Sequence, residues 1–274
     1  MARLWFGPHP DRARQDSETL LLHVLENNKA WLLAHLDDEF PEDQAARFTQ
    51  LIDRRLTGEP IQYITGETEF YGLPFRVTPD VLIPRPETEH LVERAIELAA
   101  AFDHPRIVDV GTGSGAIAVA LALKLPAAQL TAIDCSTPAL AVARANAERN
   151  GVAERIRFLE GDLLAPIARE TFDIVVSNPP YVPESDRASL SVEVRGYEPA
   201  QALFAGSDGL AIYRRLIPDA FAALVCGGFV VLEIGYGQQE EIRALLASAT
   251  FEETGFTADL QGIPRVTSAR RPLK

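Results

Sequence analysis

From Arg106 onward the chain alternates short apolar runs with helix-forming stretches, and this alternation limits the possible folds more than any other feature. The runs RIVDV (106–110), LTAID (130–134), IRFLEGD (156–162), FDIVVSN (172–178) and GGFVVLEIG (227–235) carry β-type residues. The segments between them read as helices: from Gly115, through AVARANAERNG, around 209–225 and over 238–248. Such alternation predicts an α/β fold with a doubly wound, mainly parallel sheet. Ligands of these sheets sit beyond the carboxyl ends of the strands, where the strand order reverses. A chain of 274 residues that is 47% hydrophobic has room for this domain and a smaller one.

The smaller one precedes it. Leu20, Leu21, Val24 and Leu25 follow the candidate caps Asp16 and Ser17, a second apolar run holds Trp31, Leu32, Leu33 and Leu36, and a third helix opens at Pro41 and runs to Gly58. Residues 1–58 are therefore expected to form a small helical domain. Residues 59–85 (IQYITG, TEFYGLPFRV, VLIPRP) turn to β-type residues among turn formers and read as a linking hairpin. Residues 86–274 form the main domain, with Pro86 at the first position of a helix whose buried face carries Leu91, Val92, Ala95, Ile96 and Leu98.

Several function classes are excluded by composition. The formal charge of −13 argues against a face built to neutralise a run of phosphates, so no direct nucleic-acid partner is expected. Cys135 and Cys226 stand far apart and suggest neither a disulfide framework nor a metal site, and His9, His23, His35, His90 and His104 fall in no metal-ligand spacing. No metal is expected. The N-terminal stretch MARLWFGPHPDRARQ lacks an apolar core and no later run is long enough to span a membrane, which together point to a cytoplasmic protein.

The run Asp109-Val-Gly111-Thr112-Gly113-Ser114-Gly115 leaves one strand and opens a helix, where glycines allow a tight turn and close approach of the backbone to a ligand. Asp134 ends the next strand, where a carboxylate can accept hydrogen bonds from ribose hydroxyls. An adenosine-type cofactor is indicated. Gly111, Gly113 and Ala116 also satisfy the dinucleotide fingerprint, which keeps NAD as an alternative. Asp109 suits a cationic ligand such as S-adenosylmethionine better than a pyrophosphate, and Asp162, with Leu163 covering the ring, could accept the amine of adenine.

Asn178-Pro179-Pro180-Tyr181 follows the strand FDIVVS directly and so lies beside the glycine loop. Two prolines fix the backbone and remove two donors, which leaves acceptors facing outward. The Asn178 side-chain oxygen and the Pro179 carbonyl can hold an incoming NH2 group, and the Tyr181 ring can pack against its plane. This arrangement selects a planar nitrogen bearing two hydrogens. Glutamine amides and the adenine amine both meet that description.

These residues resemble the class I S-adenosylmethionine-dependent methyltransferases with an Asn-Pro-Pro-Tyr motif, and within them the glutamine methyltransferases of peptide chain release factors. The resemblance runs through GEPIQYITG, TEFYG, VLIPRPETE, DVGTGSG, SNPPY, GYEPAQAL and LEIGYGQ. It implies a seven-stranded Rossmann-like sheet whose last strand is antiparallel, and an N-terminal helical domain that helps hold the release factor. It further implies methylation of the glutamine in the Gly-Gly-Gln loop, with S-adenosylhomocysteine as the second product. Carried over by position, Gly111, Thr112, Gly113, Ser114, Gly115, Asp134, Asp162, Leu163 and Asn178 bind cofactor, and Asn178, Pro179, Pro180 and Tyr181 bind the glutamine. Asp259, Gly262 and Arg265 match a closing pattern read as structural, while Arg85, Glu198 and Pro199 can either border the site or serve packing. The alternatives are a glutamine methyltransferase of a ribosomal protein, an adenine-amino DNA methyltransferase, an NAD-dependent oxidoreductase and a non-catalytic binding module.

Overall fold

The structure, a computed structural model, describes residues 10–274, so the expectations resting on His9 and the first nine residues lie outside the described residues. The chain divides into two compact units, one running up to Glu67 with Leu190–Tyr197 added, the other holding the remainder. A boundary at residue 58 thus falls inside the first unit.

In the first unit the helices are α1 (Pro10–Leu25), α2 (Lys29–Ala34), α3 (Glu42–Leu56) and α4 (Ile61–Thr65), joined from further along the chain by α8 (Val192–Tyr197). α3 carries Glu42 and Asp43 in its first turn and Arg54 and Arg55 in its last, which complements the helix dipole at both ends. Its apolar face packs Leu51 against Leu20, Val24 and Ile64. Two expectations are corrected here. Asp16 and Ser17 are not caps, because α1 begins at Pro10 and places them in its interior. Asp16 is buried instead and accepts from Arg55 Nε at 2.8 Å, while Arg55 Nη2 donates to Glu193 Oε1 of α8 at 2.5 Å. A buried guanidinium requires such partners, and this pairing ties the 190–197 segment to the helical unit. The second correction concerns IQYITG, which is helical and not extended. Pro60 sets the entry to α4, Gly66 stops it at φ +77°, and burial of Tyr63 and Ile64 outweighs the β preference of the isoleucines.

From Thr68 the second unit opens with a hairpin, β1 (Glu67–Phe70, its first residue still in the first unit) and β2 (Leu73–Arg76), turned by Tyr71 and Gly72, both at positive φ. A single 3-10 turn at Pro86–Thr88 precedes α5 (Glu89–Ala99), so Pro86 starts that turn and the α-helix begins three residues later. The alternation then follows as read: β3 (Arg106–Val110), α6 (Ala116–Lys124), β4 (Gln129–Asp134), α7 (Thr137–Arg149), β5 (Ile156–Glu160), β6 (Phe172–Ser177), α9 (Ala211–Ala223), β7 (Leu224–Glu233) and α10 (Gln239–Ser248). Two further strands close the sheet, β8 (Glu252–Ala258) and β9 (Pro264–Arg270).

The seven strands lie in the order β5-β4-β3-β6-β7-β9-β8, with β9 antiparallel to both neighbours. The period of two along each strand divides the core: Ile107, Ile174 and Val176 face one cluster with α5 and α6, and Val108, Val110 and Val175 face the other with α9 and α10. Strand order turns back between β3 and β6. Their carboxyl ends therefore frame the crevice.

Candidate functional site

The loops after β3 and β6 enter one cavity of about 180 Å³, lined by Gly111, Thr112, Gly113, Ser114, Asp134, Asp162, Leu163, Asn178, Pro179 and Pro180 among others. Residues far apart in sequence are thus brought together as expected. Gly111 and Gly113 adopt φ +72° and +54°, and a Cβ on either would meet nothing within 4 Å. Their backbone conformation calls for glycine, and the space above them is open for a ligand. Gly111 N and Thr112 N donate to the Ile133 carbonyl at 2.8 and 2.9 Å, fastening the loop to the end of β4. Gly115 does not line the cavity. At φ +80° it turns into α6, and its Cα faces Ala143 of α7 so closely that an added Cβ would lie 3.0 Å from the Ala143 methyl.

Asp134 lines the cavity, but its carboxylate is not waiting for a ligand to satisfy it. Oδ2 accepts from Gly113 N at 2.8 Å and Oδ1 from Ser136 N at 2.9 Å, so the side chain holds the glycine loop and the start of α7 in one register. Each carboxylate oxygen retains a further lone pair for a hydroxyl group. Asp109 differs more from expectation. It is wholly buried beneath the loop, does not line the cavity, and accepts from Thr112 Oγ1 at 2.6 Å through Oδ2. Its Oδ1 has no hydrogen-bond partner among the described residues, and burial pushes the carboxyl up to about 7. Asp162 is paired with Arg215 at 2.5 Å, an exposed contact that a ligand can displace at small cost.

On the opposite wall, Ser177 Oγ donates to the Val110 carbonyl at 2.6 Å and holds the end of β6 against β3. Asn178 Nδ2 donates to Thr88 Oγ1 at 3.1 Å, Thr88 Oγ1 donates to Glu233 Oε2 at 2.6 Å, and the Tyr181 hydroxyl donates to Glu233 Oε1 at 3.3 Å. Glu233 is 2% exposed, and burial pushes its carboxyl up to about 7 against the opposing hydrogen bonds from Thr88 and Tyr181. Tyr181 does not line the cavity. Its ring packs against the cluster under β6 and β7, and burial raises its phenol. Thr88 and Glu233 were not singled out by sequence. A lone carboxylate in the apolar run GGFVVLEIG was the available signal for one, and the position of Thr88 within VLIPRPETE for the other.

The remaining candidates take structural positions. Arg85 Nη2 bonds Glu198 Oε1 at 2.5 Å and neither residue lines the cavity, whereas Pro199 does. Asp259 accepts from Gln261 N, Ile263 N and Arg265 Nε and so organises the turn between β8 and β9, with Gly262 at φ +79°. His35 bonds the Trp31 carbonyl and His90 lies 3.4 Å from Glu93. Among the described residues no group of three or more His, Cys, Asp or Glu side chains could hold a metal ion.

A seven-stranded sheet with an antiparallel last strand, a glycine loop after β3 and Asn-Pro-Pro-Tyr after β6 defines a Rossmann-like methyltransferase. A methyltransferase from Pyrococcus furiosus shares this fold at a TM-score of 0.53, with 19% identity over 82% of this chain and 99% of that one. The sequence matches the PrmC N-terminal domain over residues 8–66 and the methyltransferase small domain over residues 88–197. It is 42% identical over 260 residues to the release factor glutamine methyltransferase of Koribacter versatilis, covering 94% of this chain and 91% of that protein. Its identity to the protein of the same name from Bradyrhizobium diazoefficiens is 44% over 265 residues, covering 95% and 89%. The chain belongs to the release factor glutamine methyltransferase family. The oxidoreductase and binding-module alternatives fall with that membership.

Proposed function

We propose that this protein methylates the side-chain amide nitrogen of the glutamine in the Gly-Gly-Gln loop of a peptide chain release factor. The observation that carries this reading is the placement of Asn178, Pro179 and Pro180 across one cavity from Gly111–Ser114. The cavity suits S-adenosylmethionine: an open cradle above two left-handed glycines, and a carboxylate, Asp134, at the end of β4. When bound, that cofactor supplies an electrophilic methyl group and departs as S-adenosylhomocysteine.

The chain's own residues do the positioning. Gly111, Thr112, Gly113 and Ser114 present backbone to the cofactor, Asp134 accepts from its ribose, and Asp162 and Leu163 border its base. Asn178 Oδ1 and the Pro179 carbonyl accept the two N–H groups of the glutamine amide. An amide nitrogen is a weak nucleophile, so a fixed line of approach matters, and orientation of this kind can contribute roughly 7–11 kcal/mol. Once the methyl had been gained, the now acidic nitrogen would release its proton to water. Tyr181 supports this wall from beneath through Glu233.

The helical unit is assigned to holding the release factor, since Leu33, Leu36 and Phe40 leave large apolar side chains exposed there. The reading makes the protein cytoplasmic, as its substrate is, with no nucleic-acid partner required. Among the described residues no helix is long and apolar enough to cross a membrane. Asn178→Ala tests the acceptor assignment: turnover on a release factor should fall about 10²-fold, the cost of a small misplacement of reacting atoms, while S-adenosylhomocysteine still binds. Near-normal turnover would remove Asn178 from the site.

A further inference from the structure

We infer that Thr88 and Glu233 are positioning residues that fix which end of the Asn178 side-chain amide faces the acceptor. This rests on the reading of Asn178 as an acceptor-holding residue. An asparagine amide is nearly symmetric in shape, so packing alone does not choose between its two orientations. In one, Oδ1 meets the glutamine NH2 and accepts from it. In the other, NH2 meets NH2, and donor faces donor.

Hydrogen-bond polarity makes the choice. A threonine hydroxyl has one proton, and above about pH 7, where Glu233 is ionised and can only accept, Thr88 gives it to Glu233 Oε2 at 2.6 Å, which leaves only lone pairs for Asn178. Asn178 therefore turns Nδ2 to Thr88, at 3.1 Å, and Oδ1 is the atom left for the cavity that Asn178 lines. Glu233 is itself held in place. The Tyr181 hydroxyl donates to its Oε1 at 3.3 Å, and the Tyr213 hydroxyl donates to its backbone carbonyl at 2.6 Å. Thr88 and Glu233 are both buried, so water does not compete for these bonds. The consequence is selectivity: an outward Oδ1 favours an amide NH2 and repels a carboxylate, so the site distinguishes glutamine from glutamate.

The test uses the full chain with two release factors, one carrying Gly-Gly-Gln and one Gly-Gly-Glu. Thr88→Val keeps the shape and removes the hydroxyl. It should lower kcat and the binding preference for the glutamine form each by about tenfold, which is about 1.4 kcal/mol and within the range of one lost hydrogen bond, with an unchanged KM for S-adenosylmethionine. Thr88→Ser restores the hydroxyl and should return both to near wild type. Glu233→Leu removes the acceptor of the Thr88 proton and should lower the preference in the same way. Wild-type kcat and preference in Thr88→Val, or full preference in a folded Glu233→Leu, overturns the inference. Asn178→Ala, run alongside, separates the two ideas: inactive Asn178→Ala with unaffected Thr88→Val overturns only the positioning role, and active Asn178→Ala overturns both.

Discussion

Replacing Asp134 by Asn changes one atom in a side chain whose two oxygens each hold a different backbone N–H. Oδ2 accepts from Gly113 at 2.8 Å and Oδ1 from Ser136 at 2.9 Å. Asparagine can accept through one oxygen only, and its NH2 then points at the other N–H. One charge-assisted hydrogen bond is lost, typically worth about 1.5–3 kcal/mol. Asp134 is nearly buried, so solvent replaces little of that loss. Because the bonds position the glycine loop and the start of α7, the cost should appear twice. The unfolding free energy of the ligand-free protein should drop by about 2 kcal/mol in a urea titration, and S-adenosylhomocysteine affinity by roughly 10–100-fold in calorimetry, at about 1.4 kcal/mol per tenfold. A variant as stable and as tightly binding as wild type would refute the reasoning. Weakened binding with unchanged stability would show that Asp134 touches the ligand without organising the loop.

Buried Asp109 and Glu233 both carry carboxyls pushed up to about 7, so between the ordinary carboxylate range and that value the folded state binds more protons than the unfolded one. Stability should therefore fall as pH rises across that window and level off above it; urea midpoints at pH 5 and pH 8 check this, and an equally steep fall in Asp109→Asn/Glu233→Gln would contradict it. Gly113→Ala and Gly115→Ala both force alanine to positive φ at about 1–2 kcal/mol, but only Gly115 also meets Ala143, at 3.0 Å. Denaturation should show the Gly115 variant as clearly the less stable, and equal losses would count against the packing account.

Much of the second unit was legible because its signals are local. RIVDV, LTAID and FDIVVS are buried on both faces, and runs of apolar β-type residues between helices have few other uses. The two loops were placed correctly because the topology of such sheets puts both at one edge. What escaped were consequences of long-range pairing. The burial of Asp16 depends on Arg55, 39 positions away, and α8 joins the helical unit through Glu193, 138 positions from Arg55. The helical form of IQYITG reflects burial of Tyr63 and Ile64, which overrides local preference. The burial of Asp109 under Thr112 and the bonds of Asp134 to Gly113 and Ser136 are not legible because a sequence does not show which backbone N–H or hydroxyl lies within 3 Å of a carboxylate. The bond from Tyr181 is hidden for the same reason, since its partner Glu233 is 52 positions away.

The most direct test incubates the full chain with S-adenosylmethionine carrying a labelled methyl group and a release factor, and locates the label by peptide mass spectrometry. The account predicts one added methyl on the glutamine of the Gly-Gly-Gln loop, and none when that glutamine is replaced by alanine. An unlabelled release factor, or label on any other of its residues, would contradict it.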